Sequence, residues 1–223
     1  SIVLPNNSTI RDVALNDADL THDAVDNNTS YKVDNTPPTV SSVAITSAEG
    51  IQNNLLNTGD NVSVTATFSE VVIVDNSSAN PTLTLTVGST PRTATYASGG
   101  NSTDLVYRYT IQSGEIDSNG ISIGADALAL NSSTISDLAG NNAILTHDTV
   151  DNNSSYKVNA TTFSVTSFTM SDTELKIGDN ATVTLVFSEK VVGFSSDDDI
   201  TIPNLDNGTP TGTLSTMTSS DNE

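Results

Sequence analysis

Apolar and polar residues alternate one by one over residues 61–69, 82–87, 105–111 and 181–187. A period of two, filled with Val, Ile, Thr and aromatic side chains, predicts strands that bury one face. Gly59-Asp60, Gly99-Gly100, Asn119-Gly120, Gly140-Asn141 and Asn207-Gly208 flank or separate these stretches and predict turns. Residues 125–130 (ADALAL) are the one stretch that suits a helical turn. Many short strands at regular spacing predict an all-β fold, a β-sandwich of immunoglobulin type.

The pattern repeats. Residues 6–34 laid over 131–159, an offset of 125 positions, match at 20 of 29 positions. Residues 58–70 likewise parallel residues 177–189, both ending in Phe-Ser-Glu. The two matches fix a domain phase: 1–35 is the C-terminal part of one repeat, 36–159 a complete repeat, and 160–223 the N-terminal part of a further repeat of different subtype. A long fixed period predicts tandem units in an elongated array, an arrangement that serves reach and spacing rather than one buried active site. The first linker, Asp34-Asn-Thr-Pro-Pro38, is stiffened by its prolines; the second, Asn159-Ala-Thr-Thr162, has none. Ser1 and the lack of a leader suggest a segment of a longer protein. Partial ends that complete one another by strand exchange would instead build a filament, although such a pair would lack the strand equivalent to 105–111.

Charge narrows the function. Asp and Glu number 27 against 7 Lys and Arg, a formal net charge of −20. Such a chain is not expected to bind nucleic acid or an anionic membrane surface, and it favours cations. No apolar run approaches the roughly 18 residues of a membrane helix, so no membrane insertion is expected. Without Cys there is no disulfide, thiol nucleophile or thiolate metal site. G-x-S-x-G, H-E-x-x-H and phosphate-loop motifs are missing, and without Trp no sugar platform is suggested. His22 and His147 share one repeat position a domain length apart and read as ordinary loop or strand residues. The chain is therefore read as a non-enzyme.

Residues 36–45 (TPPTVSSVAI), Gly59-Asp60, Phe68-Ser-Glu70, residues 94–99 (ATYASG) and Ile135-Ser-Asp-Leu-Ala-Gly-Asn141 together resemble the bacterial Ig-like repeats of giant RTX-type and biofilm surface adhesins. Leu175-Lys-Ile-Gly-Asp179, Phe187-Ser-Glu189 and Phe194-Ser-Ser-Asp-Asp-Asp-Ile-Thr201 are similar to a second subtype of the same repeats. The resemblance implies an extracellular extender at the bacterial surface, with structural Ca²⁺ in loops and between domains. It also implies neighbouring repeats of the same chain as partners, and homotypic contacts in a filament or matrix. Two departures matter: Asn159 stands where Asp34 stands in the preceding linker, and no proline follows it. The second junction is thus expected to be less rigid or to use a different cation site.

Sandwich topology sorts the acids to two poles. Glu70, Asp104, Asp137 and Asn141 are expected at the N-terminal end of the middle repeat, beside Asp34. Asp60, Glu115, Asp117 and Asn119 are expected at the other end, facing Glu189. Calcium takes six to eight oxygens, which converging loop carboxylates and carbonyls supply. The competing reading is that Asp and Asn stand there as turn formers. Asp117-Ser-Asn-Gly120 matches part of an EF-hand loop without its downstream acid, and Asp197-Asp198-Asp199 reads as a solvated loop. An extender segment rigidified by Ca²⁺ is the expected function. A glycan- or protein-binding module, and a filament or matrix subunit, are the alternatives.

Overall fold

The structure is a computed structural model and describes residues 2–176 and 178–191. The 207–208 turn, the 197–199 acids and the 194–201 motif lie outside the described residues. The described residues are nearly all β, with no α-helix.

Its spine is β3 (Asn61–Asp75), flanked by β1 (Val40–Glu49) and, on the other side, by a strand of the middle of the chain that pairs with it from Asn61 to Val72. In chain order the remaining strands are β2 (Leu55–Leu56), β4 (Thr82–Val87), β5 (Thr90–Ser98), β6 (Ser102–Thr110), β7 (Ile116–Asp117), β8 (Leu128–Ala129), β9 (Thr134–Ser136), β10 (Lys157–Asn159), β11 (Val165–Met170) and β12 (Val183–Phe187). The large antiparallel sheet has the order β1-β3-β6-β5-β4-β8, with β9 joined to the far end of β3. A second sheet has the order β2-β10-β7, in which β10 runs parallel to β2 and antiparallel to β7. A hairpin of β11 and β12 follows, with the rings of Phe163 and Phe187 stacked at 5.4 Å.

The two-residue period does what it predicts. Val62, Val64, Ala66 and Phe68 of β3, Leu83, Leu85 and Val87 of β4, and Leu105, Tyr107 and Tyr109 of β6 face inward. Leu56 and Val158 of the second sheet close the same core, which runs from Ile45 to Ala160. The architecture is a curled, Ig-like β-sandwich.

Three expectations change. The strand expected over 61–69 continues to Asp75, because the β-branched run Val71-Val-Ile-Val74 carries it past a register slip from β6 onto β9. Glu70 therefore lies within β3, not at its end. Asp104 lies inside β6 opposite Thr67, not ahead of the strand. No helical turn forms over 125–130: Asp126 takes a left-handed conformation (φ 53°) and Leu128–Ala129 pair with β4 instead.

The two repeat copies share local structure but not burial. Asp12 accepts the N–H and side-chain amide of Asn16 at 2.9 and 3.0 Å, as Asp137 accepts those of Asn141 at 2.8 and 2.7 Å. Leu15 adopts φ 65° where Gly140 has 91°. Yet Ile10 is 53% exposed and Val33 86%, while their counterparts Ile135 and Val158 are 2% and 1% exposed. Turn chemistry acts within a few residues, whereas burial needs the sandwich strands that only the second copy meets among the described residues.

Candidate functional site

Just after each linker the chain is fastened by the same pair of hydrogen bonds. Thr39 N–H donates to Ser69 Oγ at 3.0 Å, and Ser69 N–H donates to the Thr39 carbonyl at 2.8 Å. At the second linker, Ser164 N–H donates to Ser188 Oγ at 3.0 Å, and Ser188 N–H to the Ser164 carbonyl at 2.8 Å. The serine of each Phe-Ser-Glu thus holds the incoming chain, and the following Glu is delivered to the junction. The sequence repeats this serine, but its partner is 30 residues away in one case and 24 in the other, so the clasp itself was not read from it.

At the first junction three carboxylates meet. Asp34 spends Oδ1 on the Thr36 N–H at 3.0 Å, an Asx turn. Its backbone carbonyl accepts the Asn141 side-chain amide at 3.1 Å. Asp137, buried in the turn after β9, is held by Asn141, and those hydrogen bonds keep its carboxyl below the usual aspartate range. Glu70 arrives from β3. One oxygen each from Asp34, Glu70 and Asp137 lies within 4.8 Å of the other two. Two oxygens on one Ca²⁺, each at about 2.3–2.6 Å, are at most about 5 Å apart, so this spacing fits one shared ion. Asp104 is not among the three; its carboxylate accepts the Thr67 hydroxyl at 2.7 Å.

The opposite pole forms no such group among the described residues. Asp117 is buried, and its oxygens accept the backbone N–H groups of Gly88 at 2.7 Å, Gly120 at 2.8 Å and Asn119 at 3.3 Å. Glu115 is buried against Arg92 Nε, the Tyr109 hydroxyl at 2.6 Å and the Gln112 N–H at 2.9 Å. Asp60 accepts the Asn57 N–H at 2.7 Å. Glu189 meets none of these; it accepts the Asn159 amide at 2.8 Å and the Thr161 hydroxyl, which hold its carboxyl below the usual range, Thr161 first.

His147 works structurally. Its Nε2 accepts the Ala127 N–H at 2.8 Å, which leaves Nδ1 to donate to the Asp148 carbonyl at 2.7 Å, the arrangement of a neutral ring. His22 makes the same Nδ1 contact with Asp23.

The fold thus defines an Ig-like β-sandwich entered just after a serine clasp and followed by a hairpin clasped in the same way. Residues 159–223 match the family model of the bacterial Ig-like domain. The described part of that stretch contributes Asn159, the serine clasp and the β11–β12 hairpin. This family is a non-catalytic structural fold, typical of extracellular and surface proteins. Comparison with curated proteins and with solved structures returned no match.

Proposed function

We propose that the chain is a non-enzymatic extender segment of a bacterial surface adhesin. Tandem Ig-like units, with 36–159 as the complete one, would hold a binding module away from the cell. Ca²⁺ stiffens the joint ahead of that unit by bridging Asp34 of the linker, Glu70 of β3 and Asp137 of the β9 turn. The observation that carries this reading is that the three carboxylates come from the linker and two separate parts of the sandwich, within 4.8 Å. An ion there ties the linker to the unit it enters. The apolar side chains left open on the first copy support the array, since a preceding unit of the same fold would cover Ile10 and Val33 as the middle unit covers Ile135 and Val158.

The test is thermal unfolding of the full chain with Ca²⁺, Mg²⁺ or chelator. An ion bound only by the folded state at 100 times its Kd adds about 2.7 kcal/mol. The reading predicts an upward Ca²⁺-selective shift that Glu70→Gln and Asp137→Asn abolish. Equal melting with Ca²⁺ and chelator, or an unaltered shift in both variants, would remove Ca²⁺ from this junction.

A further inference from the structure

The two junctions share a plan and differ in the side chain of the linker Asx residue. In both, the linker Asx residue uses Oδ1 to accept the N–H of the threonine two positions on: Asp34 with Thr36 at 3.0 Å, Asn159 with Thr161 at 3.4 Å. In both, a serine clasp brings the Glu of Phe-Ser-Glu to the linker. The second side-chain atom is a carboxylate oxygen in Asp34 and an NH₂ in Asn159. At the first junction, no hydrogen bond or ion pair reaches the Glu70 carboxylate among the described residues, and its neighbours are two further carboxylates. At the second, the Asn159 amide donates to one Glu189 oxygen at 2.8 Å and the Thr161 hydroxyl to the other.

We propose that the 159–189 junction closes without metal, the Asn159 amide doing what a cation does at the 34–70–137 junction. The array then has two kinds of joint, one that responds to divalent cation and one that does not. The contrast rests on the cation reading of the first junction; the closure at Glu189 stands on its own hydrogen bonds. Glu189 joins no group of three acids among the described residues, so a Ca²⁺ there would not meet the three carboxylates of the first junction, and both Glu189 oxygens are already turned to the Asn159 and Thr161 donors. A residue change from Asp to Asn at this one position would therefore set the type of joint.

The chain has no cysteine, so Ser98→Cys and Thr184→Cys, both at exposed positions, allow spin labels on the sandwich and on β12 of the full chain. Pulsed dipolar spectroscopy then reads their distance distribution in Ca²⁺ and in chelator. The expected result is one distribution in both conditions for the otherwise unaltered chain. In Asn159→Asp, the distribution broadens in chelator and narrows again in Ca²⁺. The proposal is overturned if the unaltered chain broadens in chelator, if Glu189→Gln lowers its calcium stoichiometry, or if Asn159→Asp changes nothing. Failure of the first junction is seen separately, as calcium binding untouched by Asp34→Asn and Glu70→Gln, and it leaves the label distances at the second junction unchanged.

Discussion

Replacing Glu115 by Ala separates a ligand from a strut. Three donors converge on this carboxylate: Arg92 Nε from β5, the Tyr109 hydroxyl from β6 and the Gln112 N–H of the following loop. The Glu115 side chain is 4% exposed and that of Arg92 35%. A hydrogen bond to a charged group contributes about 1.5–3 kcal/mol, and stranding a buried partner costs more. Arg92 is open enough to regain water, so its share is about 1 kcal/mol or less. The Tyr109 hydroxyl and Gln112 N–H recover less, and the total loss should be roughly 3–4 kcal/mol. For a unit of this size that is a fall in Tm on the order of 12–16 °C. Urea and thermal unfolding followed by circular dichroism measure it. Glu115→Gln, which keeps an acceptor and the volume, should lose about half as much. The calcium-induced shift should persist in both variants, because Glu115 lies apart from the Asp34 cluster. A loss under about 1 kcal/mol, or disappearance of the calcium shift, would refute the assignment of Glu115 to the sandwich rather than to an ion.

Tyr107 is wholly buried, and its hydroxyl has no partner among the described residues, so Tyr107→Phe should raise stability in urea by about 1 kcal/mol or more. Burial pushes the Tyr107 phenol well above its ordinary 10.0; burial, then the Glu115 hydrogen bond, does the same to Tyr109. A raised phenol stabilises the fold below the unfolded pKa and loses that contribution as pH climbs beyond about 10, so melting should fall there, less steeply in Tyr107→Phe. Val158→Ala should cost about 1–2 kcal/mol in equilibrium unfolding, whereas Val33→Ala, the same repeat position left exposed, should stay within about 0.5 kcal/mol. Gly120 has φ 99° and a Cβ there would strike the Asn153 carbonyl, so Gly120→Ala should cost roughly 2–4 kcal/mol; Gly140→Ala, with a similar φ but open space, should cost about 1 kcal/mol.

Strands with one wet face were legible because their alternation is local: 82–87 is β4 residue for residue. The end of β3 was not, since Val71-Val-Ile-Val74 breaks the alternation where the strand changes partners. For the acids the difficulty is chemical. Asp in a loop suits both a turn and an ion, and only what lies opposite decides between them. Asp117 faces Gly88 N–H, 29 residues earlier, while Asp137 faces Asp34 and Glu70. Sorting by pole put Asp34, Glu70 and Asp137 at one end, where their carboxylates lie close together, yet the same logic could not see that Arg92 crosses to Glu115. Closely similar sequence with different burial, as at Val33 and Val158, shows how little of a residue's environment its neighbours in the chain determine.

The parallel pairing of β10 with β2 has a mechanical consequence. Leu55 and Leu56 lie early in the middle sandwich; Lys157 and Val158 lie where the chain leaves it. Once β1 has yielded, tension on the two ends draws β2 towards its start and β10 towards its end. Because the strands point the same way, these pulls oppose each other along one line, and the bonds between them are strained together in shear. Antiparallel terminal strands pulled from one side would peel apart bond by bond. The short patch around Leu56 and Val158, sealed from water on its inner face, is where a load carried through the chain would be resisted in shear once β1 has come away from β3.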